Sequence, residues 1–390
     1  RLGEKRTGCR FADRCPQVHE RCRSAEPAMH AVGTRQVRCH LYDPTTAAPE
    51  LVKPPGPTTE APSPAPALAG KALDVEALEV HFPVRKGLFR RVVGHVKAVD
   101  GVSLQVPAGQ TLALVGESGC GKTTAGKALL QLVPASGGRA RYGGQELLEL
   151  SPREWQPLRR ELQMIFQDPF SSLNPRMRVG EILEEGMLAL GVEPDAGARS
   201  ARIDALLARV GLDPAMRDRF PHEFSGGQRQ RIGVARAIVM EPELIIADEP
   251  ISALDVSIRA QVLNLMSELQ KKKGLTYLFI AHDLSVVRYI TDRVAVIHKG
   301  KIVELAETEK LYKNPLHPYT RALFSAIPIP DPNLERSKKL QVYDPSCHYD
   351  YDVNPPKWVE IEPEHFILAN ERELEEYRRM LEENGVQAIN

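Results

Sequence analysis

Short apolar runs recur along most of the chain, with segments of helical periodicity between them. Four runs have the length and composition of buried strands: Thr111–Val115, Leu162–Phe166, residues 243–248 and Thr276–Ala281. Apolar residues between Val179 and Arg217 instead recur at helical spacing. This alternation of strands and helices predicts an α/β fold.

A second group of strands is predicted ahead of these runs. Its alternating or β-branched stretches are Val75–Val80, Val92–Val99 and Val102–Val106. The basic segment Arg85–Arg91 contains a glycine and predicts a hairpin tip. We therefore expect a small antiparallel β subdomain before the α/β core, and a helical subdomain at about residues 168–240.

A glycine-rich loop joins the strand at Thr111–Val115 to a helical stretch at residues 125–133. Its sequence, Gly116-Glu-Ser-Gly-Cys-Gly-Lys-Thr-Thr124, fits the phosphate-loop pattern in the strand–loop–helix context that the pattern requires. Backbone N–H groups and the helix N-terminus favour an anion there, Lys122 can reach the β- and γ-phosphates, and the Thr123 hydroxyl can ligate Mg²⁺. The loop therefore predicts a nucleoside triphosphate site. Its expected members are Gly116, Ser118, Gly119, Cys120, Gly121, Lys122, Thr123 and Thr124.

A second anion-binding helix start is predicted at Ser225-Gly226-Gly227-Gln228. Ser225 is a favourable N-cap residue, and the two glycines expose the first N–H groups of the helix that reaches residue 240. This motif and the phosphate loop lie on different subdomains, so one chain cannot easily close both onto one triphosphate. Two chains arranged head-to-tail can do so.

Polar residues at strand ends predict the hydrolytic chemistry. We expect Asp248 to hold Mg²⁺ through its water shell and Glu249 to polarise the attacking water. Gln167 is placed to contact Mg²⁺ or that water, and His282 to donate to the γ-phosphate. The loop Ser252–Asp255 is suited to a subunit contact.

Composition narrows the classes of function. The chain has 51 basic and 51 acidic residues, so no global field favours nucleic acid. No run approaches the eighteen apolar residues of a membrane span, and no signal peptide is visible. The chain begins with Arg1, from which we expect a fragment or a processed protein.

Four of the six cysteines, Cys9, Cys15, Cys22 and Cys39, lie within the first forty residues. They predict a metal centre, and their spacing leaves zinc, an iron–sulfur cluster and unrelated free thiols open. A Pro/Ala-rich linker at residues 43–70 separates this cysteine-rich segment, residues 1–42, from the rest.

Together these motifs resemble the ATPase subunits of ABC transporters, over residues 73–328. The resemblance implies a P-loop NTPase core at residues 71–328, ATP as the nucleotide, and Phe82 as the aromatic residue that stacks on adenine. It also implies that Ser225, Gly226, Gly227 and Gln228 cap the ATP of the opposite subunit, with Asp255 at the same contact. That subunit is expected to be a paralogous or identical ATPase.

Residues 167–176, 314–323 and 9–16 further resemble the oligopeptide/dipeptide permease ATPases, a subfamily that includes nickel importers. The resemblance implies an importer subunit at the cytoplasmic face of the cell membrane, with two membrane-spanning permease subunits and an extracytoplasmic solute-binding protein. In that subfamily the cysteine motif follows an ATPase domain and holds a [4Fe–4S] cluster, which favours iron–sulfur over zinc. Residues 1–42 would then be the tail of an upstream ATPase domain, and residues 329–390 a second tail that ends in a charged helix at Arg372–Asn384. Leu374, Tyr377 and Leu381 form an apolar stripe on this helix, which we expect to be solvated or to serve in docking.

Two other classes of function stay open at this point. A soluble ABC ATPase of DNA repair or ribosomes would need long coiled-coil insertions or two complete cassettes, and neither is visible. An iron–sulfur scaffold with a decayed ATPase is disfavoured by the intact Glu249 and His282. The transported solute is not specified by these patterns.

Overall fold

The computed structural model describes residues 8–12, 15, 17–33, 35–43, 71–86, 91–252, 254–328, 335–336 and 338–387. The chain divides into two compact units, residues 1–65 and 66–390. Within the described ranges, no helix is long and apolar enough to cross a membrane.

The described residues of the first unit form a short helix and a hairpin. Helix α1 is Glu20–Ser24, and strands β1 (Met29–Val32) and β2 (Arg35–Arg38) pair antiparallel. A 3-10 turn follows at His40–Tyr42, where the buried His40 ring contacts the carbonyl oxygen of Ala25 at 2.9 Å. The described strands of this hairpin expose most of their side chains.

The second unit contains two sheets and the helices that cover them. Its strands are β3 Leu73–Lys86, β4 Arg91–Val106, β5 Thr111–Val115, β6 Gly137–Tyr142, β7 Gln145–Glu146, β8 Leu162–Ile165, β9 Leu244–Asp248, β10 Thr276–Ala281, β11 Arg293–His298, β12 Lys301–Glu307, β13 Lys357–Glu362 and β14 His365–Ala369. Its helices are α2 Lys122–Leu129, α3 Pro152–Glu161, α4 Val179–Ala189, α5 Ala196–Arg209, α6 Gly226–Ile238, α7 Val256–Lys273, α8 Leu284–Ile290, α9 Thr308–Lys313, α10 Pro318–Ser325 and α11 Glu371–Gln387. This arrangement is the predicted α/β fold.

The larger sheet has the strand order β13-β14-β12-β11-β5-β10-β9-β8. Strands β11, β5, β10, β9 and β8 run parallel to one another, and every residue of β5, β9 and β10 is buried. Burial on both faces explains why these strands are continuous apolar runs in the sequence. Their carboxyl ends lie at one edge of the sheet, where ligands bind in open α/β folds.

The smaller sheet is antiparallel, in the order β4-β3-β6-β7. The three predicted strand stretches fall in the long β3–β4 hairpin, whose register pairs Lys86 with Arg91. The predicted hairpin tip lies largely outside the described residues, since only Arg85, Lys86 and Arg91 of that segment are described.

The helical segment between β8 and β9 packs its apolar side chains into the same cluster as buried residues of β5, β9 and β10. Helices α4, α5 and α6 bury Leu183, Met187, Ile203 and Ile232 in one cluster. The largely buried Arg231 guanidinium of α6 donates to the carbonyl oxygens of Val210 and Gly211, which fixes α6 against the loop after α5.

The carboxyl-terminal residues extend the larger sheet, which the sequence patterns did not indicate. Strand β14 pairs antiparallel with β12, and β13 pairs with β14. The charged helix predicted at residues 372–384 is α11, and its apolar stripe is not solvated. Tyr377 is only 1% exposed and packs with Leu316, Ile367 and Ala369.

Candidate functional site

The phosphate loop crosses from β5 to α2 with glycines where the backbone leaves no space. Gly121 is the N-cap of α2 and has φ +109°, and an ideal Cβ there would lie 2.2 Å from the carbonyl oxygen of Ala98. A Cβ at Gly116 would lie 2.2 Å from the carbonyl oxygen of Ile297. Any larger residue would therefore displace the loop from the β4 and β11 backbones.

Lys122 closes this loop with its own ammonium group. Its Nζ donates to the carbonyl oxygens of Gly116 and Glu117, both at 2.8 Å, and lies 3.7 Å from the Cys120 thiol. The side chain is buried, its three hydrogen-bond partners carry no formal charge, and the Asp248 carboxylate lies close enough to interact with the ammonium electrostatically. A buried ammonium held by two carbonyl dipoles and a thiol fits an anionic ligand such as a phosphate.

Thr123 and Asp248 form the second pair of the site. The Thr123 hydroxyl donates to Asp248 Oδ1 at 3.0 Å and so joins the first turn of α2 to the end of β9. Burial raises the pKa of Asp248, although the Thr123 hydrogen bond opposes this shift. A buried carboxylate beside a hydroxyl fits Mg²⁺, whose positive charge would favour the ionised form.

Glu249 follows directly and lies between the other two predicted catalytic residues. Its Oε2 accepts a hydrogen bond from Gln167 Nε2 at 2.9 Å, and its Oε1 lies 3.0 Å from His282 Nδ1. The backbone of Glu249 has φ +47°, and its N–H donates to the carbonyl oxygen of Ile280. Residues from the ends of β8, β9 and β10 thus meet at one carboxylate. The contact of Gln167 and His282 with Glu249 itself was not part of the sequence analysis.

The second anion motif forms the start of α6, which begins at Gly226 with Ser225 as its N-cap. Ser225 Oγ accepts from the Gln228 N–H at 3.3 Å, and Gln228 Oε1 accepts from the Ser225 N–H at 2.9 Å. Gly226 and Gly227 form the first residues of this helix. Among the described residues, no hydrogen bond joins this capping box to the phosphate loop.

Two predicted nucleotide contacts lie outside this constellation. Phe82 is 42% exposed on β3 and pairs across the hairpin with the exposed Val96. An exposed aromatic ring can stack on a base. Among the described residues, no aromatic ring packs against Phe82. Asp255 caps α7 by accepting from the Ile258 N–H at 3.0 Å, and Ala253 of the same loop lies outside the described residues.

The structure does not assemble the predicted iron–sulfur site. Cys9, Cys15, Cys22 and Cys39 are all free. Within the described ranges, which include these four, no group of three or more His, Cys, Asp or Glu side chains is placed to hold a metal ion. Cys22 lies in α1, Cys39 precedes the 3-10 turn, and the Cys9 N–H donates to the Cys22 carbonyl oxygen at 2.8 Å.

One contact to the phosphate loop was missed by the sequence analysis. The Tyr319 hydroxyl accepts a hydrogen bond from the Glu117 N–H at 3.0 Å. Tyr319 lies 202 positions away on α10. The segment 314–323 stood out only as a family resemblance, and a buried tyrosine has no periodicity that would reveal its partner.

Comparisons with known proteins identify the class of protein to which this chain is similar. The family model described as ABC transporter matches residues 99–252, and the model for the C-terminal region of oligopeptide/dipeptide transporters matches residues 1–22 and 303–349. The dimeric cassette MJ0796, solved with ADP and Pi, is similar at a TM-score of 0.55 and 23% identity, over 60% of this chain and 98% of that one. The subunit cbiO1 from Clostridium perfringens, part of an ABC transporter complex, is similar at a TM-score of 0.52 and 26% identity, over 62% of this chain and 90% of that one. The fold and the site therefore define an ABC-type ATPase.

Curated relatives give the narrower family. The oligopeptide transport ATP-binding protein OppF of Bacillus subtilis is 51% identical over 308 residues, which cover 79% of this chain and 99% of the relative. Its counterpart in Escherichia coli is 50% identical over 286 residues, which cover 73% and 85%. This chain belongs to the family of oligopeptide transport ATP-binding proteins.

Proposed function

We propose that this chain hydrolyses ATP to drive oligopeptide uptake through a membrane permease. One observation carries the chemistry: the Glu249 carboxylate lies between Gln167 and His282, next to the Thr123–Asp248 pair. The names of the relatives support the cargo. Membership of their family also favours transport over the alternatives in DNA repair or on ribosomes.

Each side chain has a separate task in this mechanism. Lys122 and the loop N–H groups bind the phosphates, while Thr123 and Asp248 hold Mg²⁺, which neutralises developing charge. Glu249 accepts a proton from the attacking water. His282 and Gln167 hold Glu249 through 3.0 Å and 2.9 Å contacts, so the carboxylate stays aimed at the water position.

The complete site is proposed to need a second ATPase chain. The capping box uses the N–H groups of Ser225 and Gln228 and places Gly226 and Gly227 in the first turn of α6, while Asp255 caps α7. The dimeric state of the similar cassette supports a second ATPase chain, identical or paralogous. The head-to-tail arrangement rests on the two anion motifs of this chain. Closure around the γ-phosphate, and opening after its loss, would drive the transport cycle.

The remaining partners follow from the same proposal. Two membrane-spanning subunits would place the chain at the cytoplasmic face of the membrane, and an extracytoplasmic binding protein would deliver the solute. We keep the predicted boundaries of a cysteine-rich segment (1–42), a linker (43–70), an ATPase domain (71–328) and a tail (329–390). The match of one C-terminal-region model to residues 1–22 and again to 303–349 supports the relation between segment and tail.

The Glu249→Gln variant tests the proposed mechanism. Glutamine keeps the size of the side chain and one acceptor oxygen but cannot accept the proton, so ATP turnover should fall by about 10²–10⁴-fold while ATP still binds. The readouts are phosphate release and the size of the protein in solution with ATP and Mg²⁺. Glu376→Gln, at an exposed carboxylate of α11, is the matched control.

The size measurement separates the two kinds of partner. An ATP-trapped dimer of Glu249→Gln would show that the chain pairs with itself, and a persistent monomer would indicate a paralogous partner. Turnover that matches the wild-type protein would remove Glu249 from the proposed role.

An iron–sulfur cluster in the first unit is a separate proposal. Its support is the four free thiols and the match of residues 1–22 to a transporter region, while the arrangement in the structure speaks against it. Anaerobically purified protein should contain about four iron atoms per chain with charge-transfer absorbance, both lost in Cys22→Ser. Iron-free protein from cells with ample iron would end this proposal.

A further inference from the structure

One hydrogen bond ties the phosphate loop to a helix far along the chain. The Glu117 N–H donates to the Tyr319 hydroxyl at 3.0 Å, while the Glu117 carbonyl accepts from Lys122 Nζ at 2.8 Å. The backbone N–H and the backbone carbonyl of Glu117 are thus both hydrogen-bonded, the first to Tyr319 of α10 and the second to Lys122. The orientation of this residue therefore bears directly on where the Lys122 ammonium lies.

Tyr319 is itself held rigidly by a buried aromatic cluster. Its side chain is 1% exposed, its ring lies 4.1 Å from the His298 ring, and the Tyr343 ring packs edge-on at 5.4 Å. Burial raises the pKa of the Tyr319 hydroxyl to about 12, so the group is neutral at physiological pH. A neutral hydroxyl fixed in this way is a stationary acceptor for the loop.

The start of α10 is anchored just as firmly. The Leu316 and His317 N–H groups donate to the buried Glu304 carboxylate at 2.9 Å and 3.0 Å, and the His365 ring contacts the same carboxylate at 2.8 Å. The Tyr319 N–H donates to His317 Nδ1 at 3.1 Å. These bonds join β12, β14 and α10 into one support, so the position of Tyr319 is set from three elements.

We propose that Tyr319 is a positioning residue for ATP binding, which holds the Glu117 peptide so that Lys122 and the following loop N–H groups face the phosphates. The Glu117 N–H then binds Tyr319 and is not among the loop N–H groups that bind the phosphates. The hydrogen bond also holds the loop in one orientation before the nucleotide binds. This proposal rests on the proposed use of the loop for ATP. The proposal assigns to α10, in the carboxyl-terminal region of this chain, a structural role at the nucleotide site.

If Tyr319 contributed only packing to the core, removal of its hydroxyl would leave ATP binding unchanged. Tyr319→Phe keeps the ring and its contacts but leaves the Glu117 N–H without its acceptor. Tyr343→Phe removes a hydroxyl from the same cluster and leaves that hydrogen bond in place, so it is the matched control. Packing alone would make the two variants alike.

The experiment measures the affinity of the full chain for a fluorescent ATP analogue, steady-state ATPase kinetics, and hydrogen exchange of the peptide that contains Glu117. In Tyr319→Phe we expect about tenfold weaker binding and a matching rise in KM, the scale of one lost hydrogen bond, with kcat within about twofold because Glu249, Gln167 and His282 lie on other strands. Exchange at Glu117 should accelerate. Tyr343→Phe should leave the affinity, the kinetic constants and the exchange rate at Glu117 unchanged.

Equal behaviour of the two variants, or a fall in kcat without a change in affinity, would overturn the proposal. A Lys122→Ala variant reports separately on the proposed function. If Lys122→Ala binds the analogue as the wild-type protein does, the loop is not the ATP site and the proposed function fails. If Lys122→Ala loses binding while Tyr319→Phe does not, only the role of Tyr319 fails.

Discussion

The Thr123 hydroxyl donates to the Asp248 carboxylate across 3.0 Å, and this bond joins two strand–helix units that are 125 residues apart in the chain. The hydroxyl belongs to the first turn of α2 and the carboxylate to the last residue of β9. Two oxygen ligands are therefore already paired where Mg²⁺ is proposed to bind. Little rearrangement would be needed to accept the ion.

A Thr123→Val variant should weaken Mg²⁺-dependent ATP binding by at least about tenfold, because valine keeps the shape of threonine but offers no oxygen. It should also lower the free energy of unfolding by about 1–3 kcal/mol, since Asp248 loses its partner in a buried place. Titration with ATP, with and without Mg²⁺, measures the first effect. Thr123→Ser restores the hydroxyl and should recover both quantities. If it does not, the hydroxyl is not the cause.

A Gly121→Ala variant should destabilise the protein by about 3 kcal/mol or more. The new Cβ would lie 2.2 Å from the Ala98 carbonyl oxygen at a backbone φ of +109°. Gly119→Ala is the matched control, because Gly119 also has a positive φ, +81°, but faces open space, so that only about 1–2 kcal/mol is expected. Denaturant unfolding without nucleotide gives both values. Equal losses would show that backbone strain, not the Ala98 contact, explains the glycine.

A His317→Asn variant should flatten the loss of stability in acid. Burial lowers the pKa of His317 to about 3, and repulsion from His348, His298 and Arg321 acts in the same direction. The folded protein thus binds the proton less readily than the unfolded chain. The ring therefore contributes stability above about pH 6.5 that is lost as the pH falls towards 3. Asparagine can still cap α10 but does not titrate.

Chemical unfolding at a series of pH values between 7 and 4 measures this effect. The wild-type protein should lose a few kcal/mol more than His317→Asn over that interval. His95→Asn, at an exposed position of β4, should follow the wild-type curve. Parallel curves for all three proteins would mean that His317 is not kept neutral by the fold.

Sequence reasoning located the strand-end residues because of a simple geometric rule. Parallel buried strands are continuous apolar runs, and the residues that follow them meet at one edge of the sheet. Gln167, Glu249 and His282 obey this rule, and their contacts of 2.9 Å and 3.0 Å follow from it. The roles assigned to these residues stay predictions until the variants are measured.

The carboxyl-terminal region escaped prediction for the opposite reason. The contact between Glu304 and His365 spans 61 positions, and that between Glu117 and Tyr319 spans 202. Neither contact leaves a local pattern, because each joins single residues that are far apart in the chain. The stripe of α11 was visible in the sequence, but not the surface that covers Tyr377.

The cysteine-rich segment shows a further limit. Spacing and family resemblance favoured a cluster at Cys9, Cys15, Cys22 and Cys39, yet the described residues do not gather these thiols into a metal-holding group. Metal ligands often converge only when the metal binds, so bare spacing is a weak guide to their final geometry.

Strands β13 and β14 also change which backbone groups are exposed at the edge of the larger sheet. Without β14, the strand β12 would expose unpaired backbone groups beside Ile302, Val303 and Leu305, which is a template for pairing with another chain. The outermost strand is instead β13, which carries Lys357, Glu360 and Glu362. The carboxyl-terminal strands thus act as a charged border that discourages edge-to-edge aggregation.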